Sequence, residues 1–212
     1  MRLILASNNR KKLGELQTLL APAGVELVAQ SSLGIAEAAE PHVTFLENAL
    51  AKARHAARAC DGAAIADDSG LCVDALGGAP GVISAHYAAI TLPDADRETQ
   101  RAAQDAANNA LLLRRLEGIA DRRARFVSTL VALRSTDDPE PLVAVGRWHG
   151  DILAAPSGSG GFGYDPLLYI GTLGATVAQL DAPVKNAHSH RALAAAQMLR
   201  LMGEQWHLRL TR

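Results

Sequence analysis

The 212-residue sequence predicts an α/β fold built on a mixed β-sheet. Three observations carry that reading. Short apolar runs alternate along the chain with stretches whose apolar residues recur at helical spacing, the pattern of strands interleaved with helices. Two longer strand-like runs, "ARFVSTLVALR" and "PLVAVGRWHGDIL", flank the turn-forming "STDDPEP", so at least one strand pair is an antiparallel hairpin. No internal repeat, low-complexity linker or break in composition divides the chain, and residues 1–212 read as a single domain.

The elements follow in order. "RLILA" is a buried first strand bounded by polar "SNN", and "RKKLGELQTLLAPAG" is a helix marked by Leu13, Leu16 and Leu20 that stops at Pro22 and Gly24. "VELVAQ" is a second strand. "TFLENALAKARHAARAC" is the clearest helix, with Thr44 and Glu47 as a capping box and Leu46, Leu50, Ala53, Ala57 and Cys60 along its expected buried face. "AAIADD" then reads as a strand ending in two carboxylates. A long polar helix covers about Asp94 to Leu116, with Pro93 at its start and Gly118 at its end. After the hairpin come a glycine-rich loop, "APSGSGGFGYDP", and a last amphipathic helix, "HRALAAAQMLRLMG".

Composition excludes several classes. Apolar residues make up 49% and charged residues 20%, which is ordinary for a globular protein and too apolar for a disordered one. A net charge of -1 offers no bulk attraction to a nucleic-acid polymer or an anionic membrane. No apolar stretch approaches the roughly 20 residues that cross a bilayer. The apolar part of "MRLILASNN" is too short for a secretory signal, and Cys60 and Cys72 read as reduced core thiols, so the expected location is cytoplasmic. Of 21 basic residues only four are lysine, at positions 11, 12, 52 and 185. Where arginine is the default cation, each lysine raises the question of whether a compact ammonium is needed there.

Five segments could carry chemistry. "SNNRKK" opens a helix directly after a strand, which places backbone N–H groups, Ser7, Asn9, Lys11 and Lys12 where an anion would sit; taken alone, an ordinary helix cap with two solvated lysines is the commoner explanation. "ADDSG" puts Asp67 and Asp68 at a strand end, where one or two carboxylates can hold Mg²⁺ and orient an attacking water. A plain turn reversing at Gly70 is the alternative. "GGAPGV" supplies two chain reversals, structural unless a ligand approaches the backbone. In "GSGGFGYDP", Phe162 or Tyr164 could stack on a purine while Asp165 bonds its edge, or the aromatics could belong to the core of an ordered loop. "KNAHSHRA" brings Lys185, His188, His190 and Arg191 before the last helix, a cationic set that suits an anion better than zinc. Together these groups suit a nucleoside triphosphate.

In their order along the chain, "SNNRKKLGEL", "TFLENALAKA", "IADDSGLCVDALGGAPGVISAHYA", "GGFGYDPL" and "SHRALA" resemble the inosine/xanthosine triphosphate pyrophosphatase family. The resemblance spans residues 7 to 194. It implies a long mixed sheet shared by two lobes with flanking helices and a cleft between them, a homodimer, and Mg²⁺-dependent hydrolysis of deaminated purine nucleoside triphosphates to the monophosphate and pyrophosphate. It further implies that Ser7, Asn8, Asn9 and Lys12 bind phosphate, and that Glu40 and Asp68 are metal ligands. Asp68 would also be the proton acceptor, and Ser69 a substrate contact. The same resemblance makes Phe162, Gly163, Tyr164 and Asp165 the base-recognition loop, Lys185 a substrate lysine, and His190 and Arg191 neighbours of the purine, with Glu47 and Asp67 in support. A related pyrophosphatase for pyrimidine or methylated nucleotides, and a non-catalytic nucleotide sensor, are the alternatives that a substrate panel separates.

Overall fold

The computed structural model describes residues 1–91, 94 and 96–208. Seven strands form one sheet in the order β2-β1-β3-β4-β5-β6-β7. They are β1 (Arg2–Leu5), β2 (Glu26–Ala29), β3 (Ala64–Val73), β4 (Arg123–Leu133), β5 (Leu142–Ile152), β6 (Leu168–Ile170) and β7 (Ala175–Thr176). β1 pairs in parallel with β2 and β3, whereas β6 pairs antiparallel with β5 and β7. The mixed sheet is therefore as expected. The helices are α1 (Arg10–Leu20), α2 (Phe45–Cys60), α3 (Arg97–Arg115), α4 (Ala182–His188) and α5 (His190–Gln205). Among the described residues no helix is long and apolar enough to cross a membrane. Pro93, read from the sequence as a helix start, lies outside the described residues; Asp96 is the cap of α3, accepting from the Glu98 and Thr99 N–H groups.

The chain divides into two compact units, one of Met1–Asp68, Ser128–Arg147 and Asn186–Arg212, the other of Ser69–Val127 and Trp148–Lys185. In the first unit, strand alternation sorts side chains into two cores. Leu3, Leu5, Ile65, Leu130 and Ala132 join Leu16 and Leu20 of α1 and Ala194, Ala195, Met198 and Met202 of α5. Ile4, Ala6, Ala64, Ala66, Val131 and Leu133 join Ala49, Ala53, Ala56 and Ala57 of α2. Successive strand residues point to opposite faces, so α1 and α5 cover one face and α2 the other. α5 lies close on β5 because Gly146 has no side chain: a Cβ there would collide with the His190 carbonyl and the Ala194 nitrogen.

The structure corrects three expectations. α2 turns its alanine face inward with Asn48 and Lys52 on it; Ala53 and Ala57 are buried there and Leu50 and Cys60 pack against that core as expected, but Leu46 is 44% exposed, and small residues let the helix approach the sheet. β3 does not end at the carboxylates but runs on through Ser69 and Gly70 to Val73. The cationic set before the last helix is split between α4, which carries Lys185 and His188, and the first turn of α5, which carries His190 and Arg191. In the hairpin turn, Asp138 holds the chain reversal by accepting from the Arg134 backbone and guanidinium and from the Glu140 N–H.

The second unit gathers Leu71, Val73, Leu112, Leu116, Phe126, Trp148, Leu167 and Leu168 into a third core. Tyr164 belongs to it.

Candidate functional site

Because β3 is still a strand at positions 67 and 68, its two carboxylates point to opposite faces of the sheet. Asp67 has the parity of Ile65 and faces α1 and α5; Asp68 has the parity of Ala64 and Ala66 and faces α2. They are neighbours in sequence but occupy different surroundings.

Asp67 is 1% exposed. The Lys12 ammonium lies 3.1 Å from its Oδ2 and the Arg191 Nε 3.3 Å, and the Ser128 hydroxyl donates to its Oδ1 at 2.6 Å. Burial alone would push this carboxyl up, but the charges of Lys12 and Arg191 with the Ser128 hydrogen bond outweigh it and hold Asp67 far below the usual carboxylate range. The same burial, with Arg191 and Lys52 nearby, draws the Lys12 ammonium down from its ordinary value. Arg191 is itself anchored, its Nη1 donating to Glu15 at 2.9 Å.

Asp68, 4% exposed, sees a different balance. Lys52 Nζ donates to its Oδ1 at 2.9 Å and to Glu40 Oε2 at 3.0 Å, so one ammonium holds two carboxylates side by side. Burial, with the Glu40 charge adding to it, pushes Asp68 up to about 6 in spite of Lys52. Its Oδ2 is buried and has no hydrogen-bond partner among the described residues. Glu40 is brought there by Asn48, whose side chain bonds the N–H and C=O of His42, and the Glu40 side chain remains 47% exposed.

The segment before α1 adds polar groups. Asn9 caps the helix, its Oδ1 accepting from the Lys11 and Lys12 N–H groups, and Ser7 Oγ accepts from the Asn9 N–H. The cap is therefore real, and it leaves the Asn9 amide nitrogen and the Ser7 hydroxyl hydrogen as the donors with which these residues would meet a ligand. Asn8 contributes a buried carbonyl oxygen with no hydrogen-bond partner among the described residues. Ser69 is half-buried on β3. Glu47 is exposed and spends its carboxylate on the Thr44 hydroxyl, which makes it part of the helix cap and not of the acidic group.

In the second unit the glycine-rich loop turns two of its four singled-out residues inward. Tyr164 is 4% exposed, and its hydroxyl donates to the Ser84 carbonyl; burial raises its phenol above the ordinary value. Asp165 is also 4% exposed, and its Oδ2 accepts from the Phe162 N–H at 3.0 Å and from Lys185 Nζ at 2.9 Å. The expectation that Tyr164 and Asp165 present themselves to a base is corrected to that extent: they hold the loop. The half-buried Phe162 ring carries the Lys185 ammonium 4.9 Å from its centroid, a cation–π contact.

Sequence reasoning missed Lys52, Ser128 and Glu15. The lysine scarcity was the available signal: Lys12, Lys52 and Lys185 each sit on a buried aspartate. Glu15 lies within "SNNRKKLGEL" but the sequence reading gives it no role there, and Ser128 stands in none of the segments that carry the resemblance. Among the described residues no three His, Cys, Asp or Glu side chains gather as a metal cluster, so a zinc site built on His188 and His190 finds no further ligand.

Ammonium and guanidinium groups are thus set against buried strand carboxylates on an open α/β sheet. The Ham1 family model matches residues 3–201, and the chain belongs to that family. It is 72% identical over 211 residues to the dITP/XTP pyrophosphatase of Leptothrix cholodnii, covering 98% of this chain and 100% of that protein. With the dITP/XTP pyrophosphatase of Methylibium petroleiphilum it shares 70% over 206 residues, or 97% of this chain and 99% of that protein. A HAM1 protein structure from Coxiella burnetii superposes with a TM-score of 0.84 at 38% identity, covering 96% of this chain and 99% of that one.

Proposed function

We propose that the protein hydrolyses deaminated purine nucleoside triphosphates, such as the inosine and xanthosine forms, to the monophosphate and pyrophosphate. Family membership and the names of its near relatives support the reaction class. The observation that carries the assignment of roles is the inequality of the two strand carboxylates: Asp67 is saturated by cations, whereas Asp68 is raised to about 6 with one buried oxygen unpartnered.

The donor set fits a hard cation with few protein ligands. Asp68 Oδ2 and Glu40 supply two carboxylates, the number Mg²⁺ usually takes from protein when phosphate and water complete its shell. Glu40 and Asp68 are thus the residues that would hold Mg²⁺, which when bound neutralises triphosphate charge and favours attack on phosphorus. Asp68 accepts the proton of the attacking water; the new bond forms at the α-phosphorus while its bond to the bridging oxygen breaks and pyrophosphate leaves. Lys12 and Lys52 offset charge on the phosphate oxygens, and Ser7, Asn8, Asn9 and Ser69 add polar contacts. Arg191, committed to Asp67 and Glu15, acts by orienting Asp67 and Lys12, so recognition of a 6-keto group passes to a backbone N–H and to His190.

Base recognition belongs to the Phe162–Asp165 loop with Lys185. A site that donates to a keto oxygen leaves its donor facing the 6-amino group of adenine, and an unpaired buried donor discriminates strongly. The homodimer and cytoplasmic location are part of the same proposal, and sedimentation tests the dimer. The decisive experiment is Asp68→Asn assayed for pyrophosphate release from inosine triphosphate with Mg²⁺. Turnover should fall on the order of 10²–10⁴-fold, and near-normal turnover would remove Asp68 from the catalytic role.

A further inference from the structure

The tip of the glycine-rich loop is held by a helix that no motif singled out. Gly163 has φ +61, in the left-handed region that glycine enters freely. On α3, Asp105 and Asn109 stand four residues apart and so share one helix face. Asp105 Oδ2 accepts from the Gly163 N–H at 2.8 Å, and Asn109 Nδ2 donates to the Gly163 carbonyl at 3.0 Å. These two bonds grip different peptide groups, one on each side of the Gly163 Cα. Orientation of the first sets φ of Gly163 and orientation of the second sets ψ, so the most permissive residue of the loop loses both its freedoms to side chains of a regular helix.

The ring of Phe162 follows from that grip. Its own N–H is tied to Asp165, and its carbonyl is part of the peptide whose N–H Asp105 receives. With Lys185 over the ring, the plane of the aromatic is set before a ligand arrives. Binding geometry that is fixed in advance avoids an ordering cost on association. We infer that Asp105 and Asn109 are positioning residues that set the Phe162 platform and with it the enzyme's selectivity among bases. The inference rests on the proposed function, in which this loop meets the base.

The test compares KM and kcat of wild type, Asp105→Ala, Asp105→Asn and Asn109→Ala with inosine triphosphate and adenosine triphosphate, alongside amide hydrogen exchange at Gly163. Losing the charged acceptor should raise KM for inosine triphosphate about tenfold and narrow the preference over adenosine triphosphate by a similar factor, with kcat changed less. Asp105→Asn keeps an acceptor in place and should recover most of the loss. Exchange at Gly163 should quicken in Asp105→Ala while strand β4 keeps its protection. Asn109→Ala carries the same expectation by itself, so the test does not depend on one variant folding. Unchanged KM and base preference in both alanine variants, or an equal loss for every triphosphate that tracks lost thermal stability, overturns the inference. A wild-type protein that releases pyrophosphate from no triphosphate overturns the proposed function instead, and the two failures are distinct.

Discussion

The two charge clusters, one in each unit, solve the burial of charge in opposite ways. In the first, cations from α1, α2 and α5 converge on carboxylates of a central strand, side chain against side chain. In the second, the side chains of Asp105, Asn109 and Asp165 hold backbone, and the ion pair Lys185–Asp165 fastens a loop. A strand needs no help to keep its shape, so its polar groups are available for chemistry. A glycine-rich loop has no ladder of its own, and its buried polar groups are spent on order. The lesson extends to Asp67 and Asp68, which differ in kind although adjacent: one is surrounded by compensation, the other is left short of it.

Removing compensation should break this contrast most severely. Asp67→Ala strands Lys12 and Arg191 without their shared partner, and should destabilise the protein by about 3–5 kcal/mol in urea unfolding. A change below about 1 kcal/mol would show that the cations find other partners. Smaller and opposite in sign is the effect of Asp68→Asn. The folded pKa of Asp68, about 6, lies above that of an unfolded aspartate, so the folded state binds the extra proton and Asp68 lowers stability as pH rises through the window from about 4 to 6. With chelator present, Asp68→Asn should be the more stable protein at pH 7 by about 3 kcal/mol, and the gap should close only as the pH falls to about 4 and below. Asp67 titrates the other way: its stabilisation is present at neutral pH and is lost only as pH falls below the unfolded value.

Lys185→Met probes the second unit. It leaves Asp165 buried without its ammonium and should raise KM for inosine triphosphate about tenfold with a lesser change in kcat. Loss confined to kcat would move Lys185 to the phosphate chemistry and erase the division of labour between units. The mildest effect expected is a competition at Asp68. Since a proton in the resting site competes with the cation and leaves no base for the attacking water, activity should decline as pH drops below about 6, and raising Mg²⁺ should shift that acid limb to lower pH by up to about one unit. An acid limb that ignores Mg²⁺ would separate the metal from Asp68.

Much of this was legible in the chain. Alternating apolar runs gave the mixed sheet, the Thr44 cap gave the start of α2, and the flanking sequences of "STDDPEP" gave the hairpin, because such signals are local. The candidate site was legible as residue types in order, and the scarcity of lysine pointed to three positions that carry buried ion pairs. What local signals could not supply was direction. Reading β3 as finished at Asp68 made the carboxylates a pair on a turn; as a strand that continues, it sends them to opposite faces.

The sequence by itself therefore determined the α/β class, the family likeness and the inventory of charged groups, since each depends on neighbours in the chain or on composition. Only the tertiary structure decided that Asp67 meets Lys12, Arg191 and Ser128 while Asp68 meets Lys52 and Glu40. It also decided that α3 reaches 58 residues along the chain to grip Gly163. Those contacts join segments whose separation no periodicity records, and the strength of a buried charge depends on what faces it across that gap.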